Sequence, residues 1–437
     1  MMNYKNSILF IIINLFCFSY TNAQELLSLE DAVAITLKNN YDIKIAKNTL
    51  KISETNNSIG NSGMLPNINA TIQDNKSSIN TTQTQADGTQ KTLNGAKNLG
   101  FSYGVGLDWT VFDGFKMFAK REQLQALEKQ GGAQLKLAIF TKISDVYTAY
   151  FDLVQQQQQI AALDTAIVIS NERVKLAQNR YTIGKASKLE VLNAQVDLNT
   201  DRSNLLQQQQ LLKTSKIHLN EIMARDVQTE FMVSNTITVD QQLKLNELKT
   251  LAEQQNPQLQ SQILAKNIAE LQLKQVKAGR YPTVHITSGY NYTHSEASLG
   301  FVTQSTGKGV TYGFSAALPI FNGGLQNRNE KIAKIQLENT NNTLEQQKLA
   351  LQSQLAAAFE SYVINKDLIN VEQSNLEIAK QNMDITFSKF KIGTITAIDF
   401  RTAQQNLLNA KVRYSNAQFQ AKLYEITLKE LSGSLNF

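Results

Sequence analysis

The strongest constraint on the fold is an internal repeat. Residues 180–195 resemble residues 389–404, and residues 111–114 resemble residues 320–323, both at an offset of 209 positions. A motif around Asn40 recurs at an offset of 216, so one loop of the first half is about seven residues longer. A unit of roughly two hundred residues is therefore duplicated. Such duplication is typical of symmetric assemblies, and we expect one shaped like a tube.

Residues 1–23 have the pattern of a secretory signal. Lys5 supplies a positive charge, residues 8–18 form an apolar stretch too short to cross a membrane, and residues 21–23 form a small-residue cleavage site. The single cysteine, Cys17, lies inside this segment, and the bulky residue before it argues against lipid attachment. Because the mature chain is expected to lack thiols, disulfides, thiolate metal sites and cysteine nucleophiles are excluded.

Composition gives no indication of a nucleic-acid partner. Removal of Lys5 lowers the formal net charge from +6 to +5, and the basic residues are interspersed with Asp, Glu and Gln. With 4 prolines and 21 glycines, the chain is too poor in both for a linker-rich multidomain protein. We expect no cofactor, no metal site and no nucleic-acid partner.

Each repeat predicts the same order of elements: a helix, a β-hairpin, a very long helix and a return helix. Ser28 is expected to cap the first helix through Asp31, and helical spacing then continues to about Ile59. In the second repeat it runs from Leu248 to Ala278. In the first repeat, 24–225, the hairpin is predicted at about 66–112, the long helix at about 116–181 and the return helix at about 188–223. A connector follows at 226–245. In the second repeat, 246–437, the hairpin is predicted at about 283–321, the long helix at about 326–390 and the return helix at about 397–431.

The hairpin strands alternate between apolar residues and small or polar ones. The apolar positions are Phe101, Tyr103, Val105, Leu107, Trp109 and Val111 in the first repeat, and Val310, Tyr312, Phe314, Ala316, Leu318 and Ile320 in the second. Weaker strands of the same parity precede both runs. The polar stretches 76–98 and 296–309 are expected to be the hairpin loops.

Alternation of this kind ordinarily indicates a half-buried sheet on a soluble core. Two features favour a membrane instead. Strands of about eleven residues reach roughly 36 Å, enough to cross a hydrocarbon layer of about 30 Å when tilted. The apolar faces are also rich in aromatic residues towards their ends, as in the girdles of membrane barrels. We therefore predict that lipid contacts Phe101, Tyr103, Val105, Leu107, Trp109, Tyr312, Phe314 and Leu318.

The two long helices lack proline and have apolar residues at three- and four-residue steps, a pattern typical of coiled coils. About 65 residues at 1.5 Å each correspond to roughly 100 Å. Each helix ends at a repeated Ile-Gly pair, Ile183-Gly184 and Ile392-Gly393, where glycine favours a left-handed turn.

Four strands cannot close a barrel, and open strand edges are not tolerated in lipid. Other chains must therefore complete the sheet. The small and polar strand faces would then line a water-filled lumen, which the long helices would extend on one side of the membrane. The residues alone thus predict an oligomeric conduit across the cell envelope.

These motifs together resemble one known family. The opening Ser28–Val33 segment with Asn39-Asn40, the strand-ending motifs at 111–114 and 320–324, and the tip motifs at 180–184 and 389–393 are similar to the TolC-type outer-membrane efflux family. The similarity covers essentially the whole mature chain.

The resemblance implies a mainly α-helical homotrimer located in the outer membrane. Twelve strands would form one β-barrel in the lipid, and twelve helices would continue it as a coiled-coil barrel in the periplasm. The implied function is a passive exit duct, without catalysis, in a tripartite efflux or type I secretion system. A periplasmic adaptor, contacting the tip turns at Ile183-Gly184 and Ile392-Gly393, and an inner-membrane transporter would deliver small molecules or proteins to it.

Two acidic residues are candidates for the narrowest part of this duct. Family members narrow the tunnel with acids just after the tip turn, and the matching residues here are Glu190 and Asp399. A ring of carboxylates would attract cations and oppose anions. The alternative is that each is a first-turn acid that the helix dipole favours.

The tip also departs from the family pattern. Thr402 stands where relatives have a second acid, and Arg401 lies beside it. Phe390 and Ile395 replace the Tyr and Arg with which relatives close the tip. We therefore expect a different locking set, with three candidates: Tyr181, Lys185 and Lys188.

Three other protein classes share part of this pattern. A structural coiled-coil protein of the envelope, without channel activity, would have the signal and the helices but would not need two hairpins of membrane width. A soluble efflux adaptor would show lipoyl-like β segments, which we do not find. An enzyme is disfavoured because His218, His285 and His294 lie apart and no phosphate loop, nucleophile motif or carboxylate pair is present.

Overall fold

The structure is a computed structural model that describes residues 25–300 and 302–435. The predicted signal peptide and Cys17 lie outside these residues. The first repeat contains β1 (Glu25–Leu27), α1 (Leu29–Asn39), α2 (Tyr41–Asn56), β2 (Asn67–Thr84), β3 (Gln90–Asp113), α3 (Lys116–Thr182) and α4 (Lys188–Ile222).

The second repeat follows a connector that contains one short strand. The strand of the connector is β4 (Phe231–Val233). The elements that follow are α5 (Leu245–Gln255), α6 (Pro257–Ala278), β5 (Thr283–Ala297), β6 (Gln304–Ala317), α7 (Leu325–Lys391) and α8 (Ala397–Ser432). The two long helices, α3 and α7, are each 67 residues long.

The described chain divides into two compact units, each built from both repeats. The helical unit contains the residues up to Ile45, Lys136–Pro257 and the residues from Leu349 onward. The sheet unit contains Ala46–Leu135 and Gln258–Lys348. Both long helices therefore contribute to both units.

The opening helix of each repeat is interrupted. Ser28 caps α1 as predicted, since its hydroxyl accepts a hydrogen bond from the Asp31 amide at 3.0 Å. The prediction of continuous helical spacing was wrong, because α1 ends before Asn40, whose side-chain oxygen accepts from the Asp42 amide at 2.9 Å and so begins a new helix. In the second repeat the break falls at Asn256, which precedes Pro257 and is extended.

The helical unit is organised around a core of aliphatic and aromatic side chains. β1 and β4 pair in parallel, joining the start of the first repeat to the connector. Their side chains pack with α1, α3, α4 and α8 in one cluster, whose most buried members include Ala32, Ile143, Val146, Leu153, Leu219 and Phe231.

The sheet unit contains four antiparallel strands in the order β2-β3-β5-β6. Both predicted hairpin loops were too long. The first strand pair stays hydrogen-bonded far beyond Lys76, as far as Thr84 and Gln90, with one register shift between Ile79 and Thr81; β5 and β6 stay paired as far as Glu296 and Gln304. The extra strand residues are mostly polar, and those of β2 are almost all exposed on both faces, so they give no regular alternation that a sequence pattern could reveal.

Three predicted strand positions are also corrected. A bulge between Thr110 and Phe112 leaves Val111 unpaired and places Phe112 opposite Val284, so Phe112 takes the apolar position predicted for Val111. Leu318 and Ile320 lie after β6, which ends at Ala317, and are therefore not strand residues. Pro319, which cannot donate to a strand ladder, lies between them.

Candidate channel tip and membrane sheet

The two tip turns have the same backbone structure. Gly184 has φ +73°, and the amides of Gly184 and Lys185 donate to the carbonyls of Tyr181 and Arg180. Gly393 has φ +80°, with the same pair of bonds from residues 393 and 394. This pair of hydrogen bonds is the Schellman motif. It requires one residue in the left-handed conformation, which glycine adopts without strain. The adjoining Ile183 and Ile392 are 66% and 75% exposed.

The two candidate acids lie in the first turn of the return helices but differ in their contacts. Glu190 is half-buried, and its Oε1 lies 3.5 Å from Nη1 of Arg180 across the turn. Asp399 is exposed and forms a capping box with Thr396: its Oδ2 accepts from the Thr396 backbone amide at 3.3 Å, and its own amide donates to the Thr396 hydroxyl at 3.1 Å. Asp399 therefore caps the helix and also exposes its carboxylate to solvent.

The interior of the tip is aromatic. Phe390, which replaces the family's tyrosine, is fully buried and stacks on Phe400 with ring centroids 4.6 Å apart. The Arg180 guanidinium lies 5.9 Å from the Phe390 ring. Among the three side chains considered for locking, Lys188 lies over the ring of Tyr181 at 5.5 Å.

A buried polar cluster lies further along the same helices. Arg401 of α8 makes a bidentate contact with Asp201 of α4, with both N–O distances at 3.0 Å. The Ser170 hydroxyl of α3 donates to Asp201 at 2.5 Å, and the amide of Gln404 donates to Ser170 at 2.7 Å. Asp197 is ion-paired with Arg173 and lies 3.7 Å from Arg401.

Charge balance explains how this cluster is stable in the interior. Asp201 is 1% exposed, and an unpaired carboxylate there would be very costly. The two aspartates face two guanidinium groups. Burial alone would lower the pKa of Arg401, but the hydrogen bonds and charge of Asp201, together with the charge of Asp197, raise it overall. Arg401 therefore stays charged.

Sequence reasoning missed this cluster, which we name the α3–α4–α8 cluster (Ser170, Arg173, Asp197, Asp201, Arg401 and Gln404). Arg401 stood out only as a neighbour of Thr402. The available signal was weak: Asp197 and Asp201 are one helical turn apart, within a run of otherwise ordinary polar residues.

The four-stranded sheet has one apolar face. Opposite pairs bring together Phe314 with Ile286, Trp109 with Ile286, and Tyr103 with Tyr292, whose rings stack at 4.9 Å. The face is uncovered, since Tyr312 and Phe314 are 88% and 80% exposed. The predicted positions Phe101, Tyr103, Val105, Leu107, Trp109, Tyr312 and Phe314 all share it. The indole N–H of Trp109 is satisfied by the carbonyl of Met64 at 2.9 Å.

The opposite face is small and polar. Its rows contain Asp108, Thr287, Asn291 and Thr311, with glycine at several positions of β3, β5 and β6. Gly104 lies directly under Asn291, because a Cβ at this position would fall 2.1 Å from the Asn291 side-chain oxygen. Glycine therefore keeps this face shallow. His285 lies here too, 3.1 Å from the hydroxyl of Thr110.

The described residues contain no group of three or more His, Cys, Asp or Glu side chains placed to hold a metal ion. None of the helices in these parts of the chain combines the length and hydrophobicity needed to cross a membrane.

An amphipathic four-stranded sheet with one lipid-compatible face, joined to paired 67-residue helices with matching tip turns, defines the class of outer-membrane proteins that combine strands with long helical hairpins. Comparison with known proteins gives the same result. Residues 33–225 and 248–434 match the family described as outer membrane efflux protein, and the chain belongs to this family. The expected resemblance is thereby confirmed.

Individual relatives are distant but similar over most of their length. The chain is 22% identical to outer membrane protein TolC of Escherichia coli (strain K12) over 359 residues, 79% of this chain and 72% of that protein. It is 21% identical to outer membrane efflux protein BepC of Brucella suis over 418 residues, 93% and 86% of the two chains.

Solved structures show the same fold. The outer membrane protein VceC of Vibrio cholerae superposes with a TM-score of 0.78 at 17% identity, covering 93% of this chain and 96% of that one. The CmeC outer membrane channel of Campylobacter jejuni gives 0.79 at 17% identity, covering 93% and 85%.

Proposed function

We propose that the chain is one subunit of a homotrimeric outer-membrane duct, through which an inner-membrane transporter and a periplasmic adaptor export their cargo. Membership of the outer membrane efflux protein family carries this proposal. The chain's own residues supply its physical basis: a sheet with one apolar face, incomplete sheet edges, and helices with unpartnered apolar seams.

The sheet edges favour assembly. β2 and β6 each pair on one side only, so a lipid-embedded sheet of four strands would leave two rows of backbone groups unsatisfied. Pairing β6 of one copy with β2 of the next removes both edges. Three copies give twelve strands, with the apolar face towards lipid and the polar face towards a water-filled lumen.

The helical unit has a matching unpartnered surface. On α7, large aliphatic residues recur every seven positions and are each more than half exposed: Ile364, Val371, Ile378 and Ile385. A strict seven-residue repeat is the signature of left-handed coiled-coil packing against another helix. Leu189 and Val196 of α4 are 64% and 63% exposed and offer a complementary seam. We assign these surfaces to contacts between copies.

At the tip, we assign Glu190 and Asp399 to the periplasmic constriction. The exposed Ile183 and Ile392, with Gly184 and Gly393 beside them, would meet the adaptor. The family resemblance supports both assignments, and the exposure of the two isoleucines supports the second. Because Arg180 is ion-paired with Glu190 and offsets its charge, we expect Asp399 to contribute more negative charge to the pore.

The test is deletion of the gene, followed by complementation. We expect the deletion strain to become sensitive to toxic compounds and the full chain to restore resistance. The protein should be extracted from outer membranes only by detergent, as a heat-resistant trimer. Recovery in a salt wash, together with unchanged sensitivity of the deletion strain, would instead support a structural coiled-coil protein of the envelope.

A further inference from the structure

The α3–α4–α8 cluster connects the two helical hairpins of one chain. Ser170 and Asp201 belong to the first hairpin, formed by α3 and α4, whereas Arg401 and Gln404 belong to α8 of the second. The contacts are direct, at 3.0 Å between Arg401 and Asp201 and 2.7 Å between Gln404 and Ser170. Gln404 also donates to the backbone carbonyl of Ala166 at 2.9 Å.

Breaking these contacts would be costly. Ser170, Asp201 and Gln404 are 1%, 1% and 2% exposed, so separation of the hairpins would remove the guanidinium partner of a buried carboxylate and the hydrogen-bond partners of buried polar side chains. The cluster also satisfies its own donors and acceptors: Arg401 contacts Asp201, Asp197 and Gln404 at once. A cluster of this kind holds the two hairpins together as a rigid pair.

The sequence repeat shows that the residues of this cluster are not repeated at the equivalent positions of the other hairpin. At the 209-residue offset, none of the four charged residues has a charged counterpart. Arg173, Asp197, Asp201 and Arg401 correspond to Asn382, Asn406, Ala410 and Leu192, and Ser170 corresponds to Ala379; only Gln404 is matched, by Gln195.

The counterparts are also differently exposed. Gln404 is buried, whereas Gln195 is exposed, and Leu192 is 47% exposed where Arg401 is half-buried. In a threefold tunnel built from two similar hairpins per copy, Leu192 and Gln195 would face the second hairpin of the next copy. Around the tunnel, contacts between the two hairpins of one copy, which contain four charged residues, would thus alternate with contacts between neighbouring copies, which have no charged residue at these positions.

We propose that the α3–α4–α8 cluster is a permanent fastening within each chain, and that the movement which widens the tip takes place at the seams between copies. This inference rests on the proposed function, since it requires a trimeric tunnel that opens. It assigns Arg401 and Asp201 a positioning role: they hold the second hairpin on the first and do not contact the cargo.

Matched cysteine pairs test it in the full-length protein. The only native cysteine, Cys17, lies in the predicted signal peptide. Asp197→Cys with Arg401→Cys places a pair across the seam within one chain. Asn406→Cys with Leu192→Cys places the equivalent pair across the seam between copies. Both pairs are expressed in the deletion strain and cross-linked with a short bismaleimide, and drug resistance and single-channel conductance are measured before and after linking.

The within-chain link should migrate as a monomer in denaturing gels and leave at least about half of the resistance and conductance. The between-copy link should migrate as a trimer and abolish most of both. Loss of transport on linking within the chain, to the same degree as between copies, would overturn the proposal. If Asp197→Cys/Arg401→Cys does not assemble, Ser170→Cys with Gln404→Cys spans the same seam and leaves all four charges in place.

The experiment gives a different result if the proposed function itself is wrong. In that case the wild-type chain, without any cysteine or linker, does not restore resistance to the deletion strain. A wild-type chain that restores resistance, with a within-chain link that blocks it, rejects the fastening alone.

Discussion

The side-chain amide of Asn40 donates a hydrogen bond to the backbone carbonyl of Ile222, at 2.8 Å, and so ties the break between α1 and α2 to the end of α4. Asn256 makes the corresponding bond to the carbonyl of Leu431, at 2.9 Å, near the end of α8. The last carbonyls of a helix have no partner within the helix, so each asparagine satisfies a group that would otherwise need water. The repeated Asn motif is thereby given a physical role.

We expect Asn40→Ala and Asn256→Ala each to lower the free energy of unfolding by about 1–3 kcal/mol, because a buried carbonyl then loses its donor. Asn40 and Asn256 are 7% and 6% exposed. Thermal unfolding in detergent measures the effect, with exposed Gln255→Ala as the control. An Asn256→Ala protein as stable as the Gln255→Ala protein would contradict this role.

The two faces of β3 allow a matched test of the membrane assignment. Val105 lies on the apolar face, opposite Tyr290, and the next residue, Gly106, lies on the polar face with nothing within 4 Å of the position a Cβ would take. Val105→Arg should prevent assembly in the outer membrane, since an arginine in the lipid-facing band costs about 2–4 kcal/mol per chain near the midplane. Gly106→Arg should assemble and lower single-channel conductance.

The yield of detergent-extracted, heat-resistant trimer distinguishes these outcomes. A soluble sheet with both faces in water would tolerate the two arginines equally. Equal yields of Val105→Arg and Gly106→Arg trimer would therefore rule out lipid contact at Val105.

The constriction assignment predicts unequal effects of the two acids. Asp399→Asn should reduce the preference of the channel for cations more than Glu190→Gln, because Glu190 is already paired with Arg180 at 3.5 Å. Thr396 remains the N-cap and asparagine keeps a side-chain oxygen that can accept from the Thr396 amide, so the helix start should be preserved. Reversal potentials in asymmetric salt measure selectivity, with exposed Asp384→Asn as the control. If Glu190→Ala combined with Asp399→Ala left conductance and selectivity unchanged, neither residue would belong to the pore.

The periodic parts of the fold were predictable because their pattern comes from burial. The long helices and the alternating run from Phe101 to Trp109 repeat a physical constraint at every turn or every second residue. The breaks at Asn40 and Asn256 have local signals, a capping asparagine in the first repeat and Pro257 in the second, but these were outweighed by helical spacing that continues on both sides. The carbonyls that the two asparagines contact lie about 180 residues away and could not be predicted. The polar extension of the first hairpin was missed because strands exposed on both faces have no alternation.

The tip was predictable in its backbone but not in its contacts. Gly184 and Gly393 could be assigned to turns because the left-handed conformation favours glycine strongly. The partner of Arg401 could not be found, since Asp201 lies 200 positions away and its pairing depends on how three helices pack. The stacking of Phe390 on Phe400 likewise depends on how α8 packs back on α7 beyond the turn, which the residue pattern does not show.

Glu430, near the C-terminal end of α8, gives a prediction about pH. Burial raises the pKa of its carboxyl, opposed by hydrogen bonds from Ser144 and Thr141 and reinforced by the charge of Asp145. A carboxyl whose pKa is higher in the folded state favours folding while protonated and loses that contribution as pH rises through the folded pKa. At neutral pH the ionised group is therefore destabilising, and its position at a helix C-terminus adds to this.

Glu430→Gln should consequently raise the melting temperature at pH 7.5, because glutamine carries no charge and can still accept hydrogen bonds from the two hydroxyls. The gain should shrink as the pH falls and should vanish below pH 4, since Glu430 is then protonated in both folded and unfolded chains. Melting curves of the wild type and the variant from about pH 3.5 to 8 measure this, with exposed Glu377→Gln as the control. A gain that stays constant across this range would show that removal of the charge is not its cause.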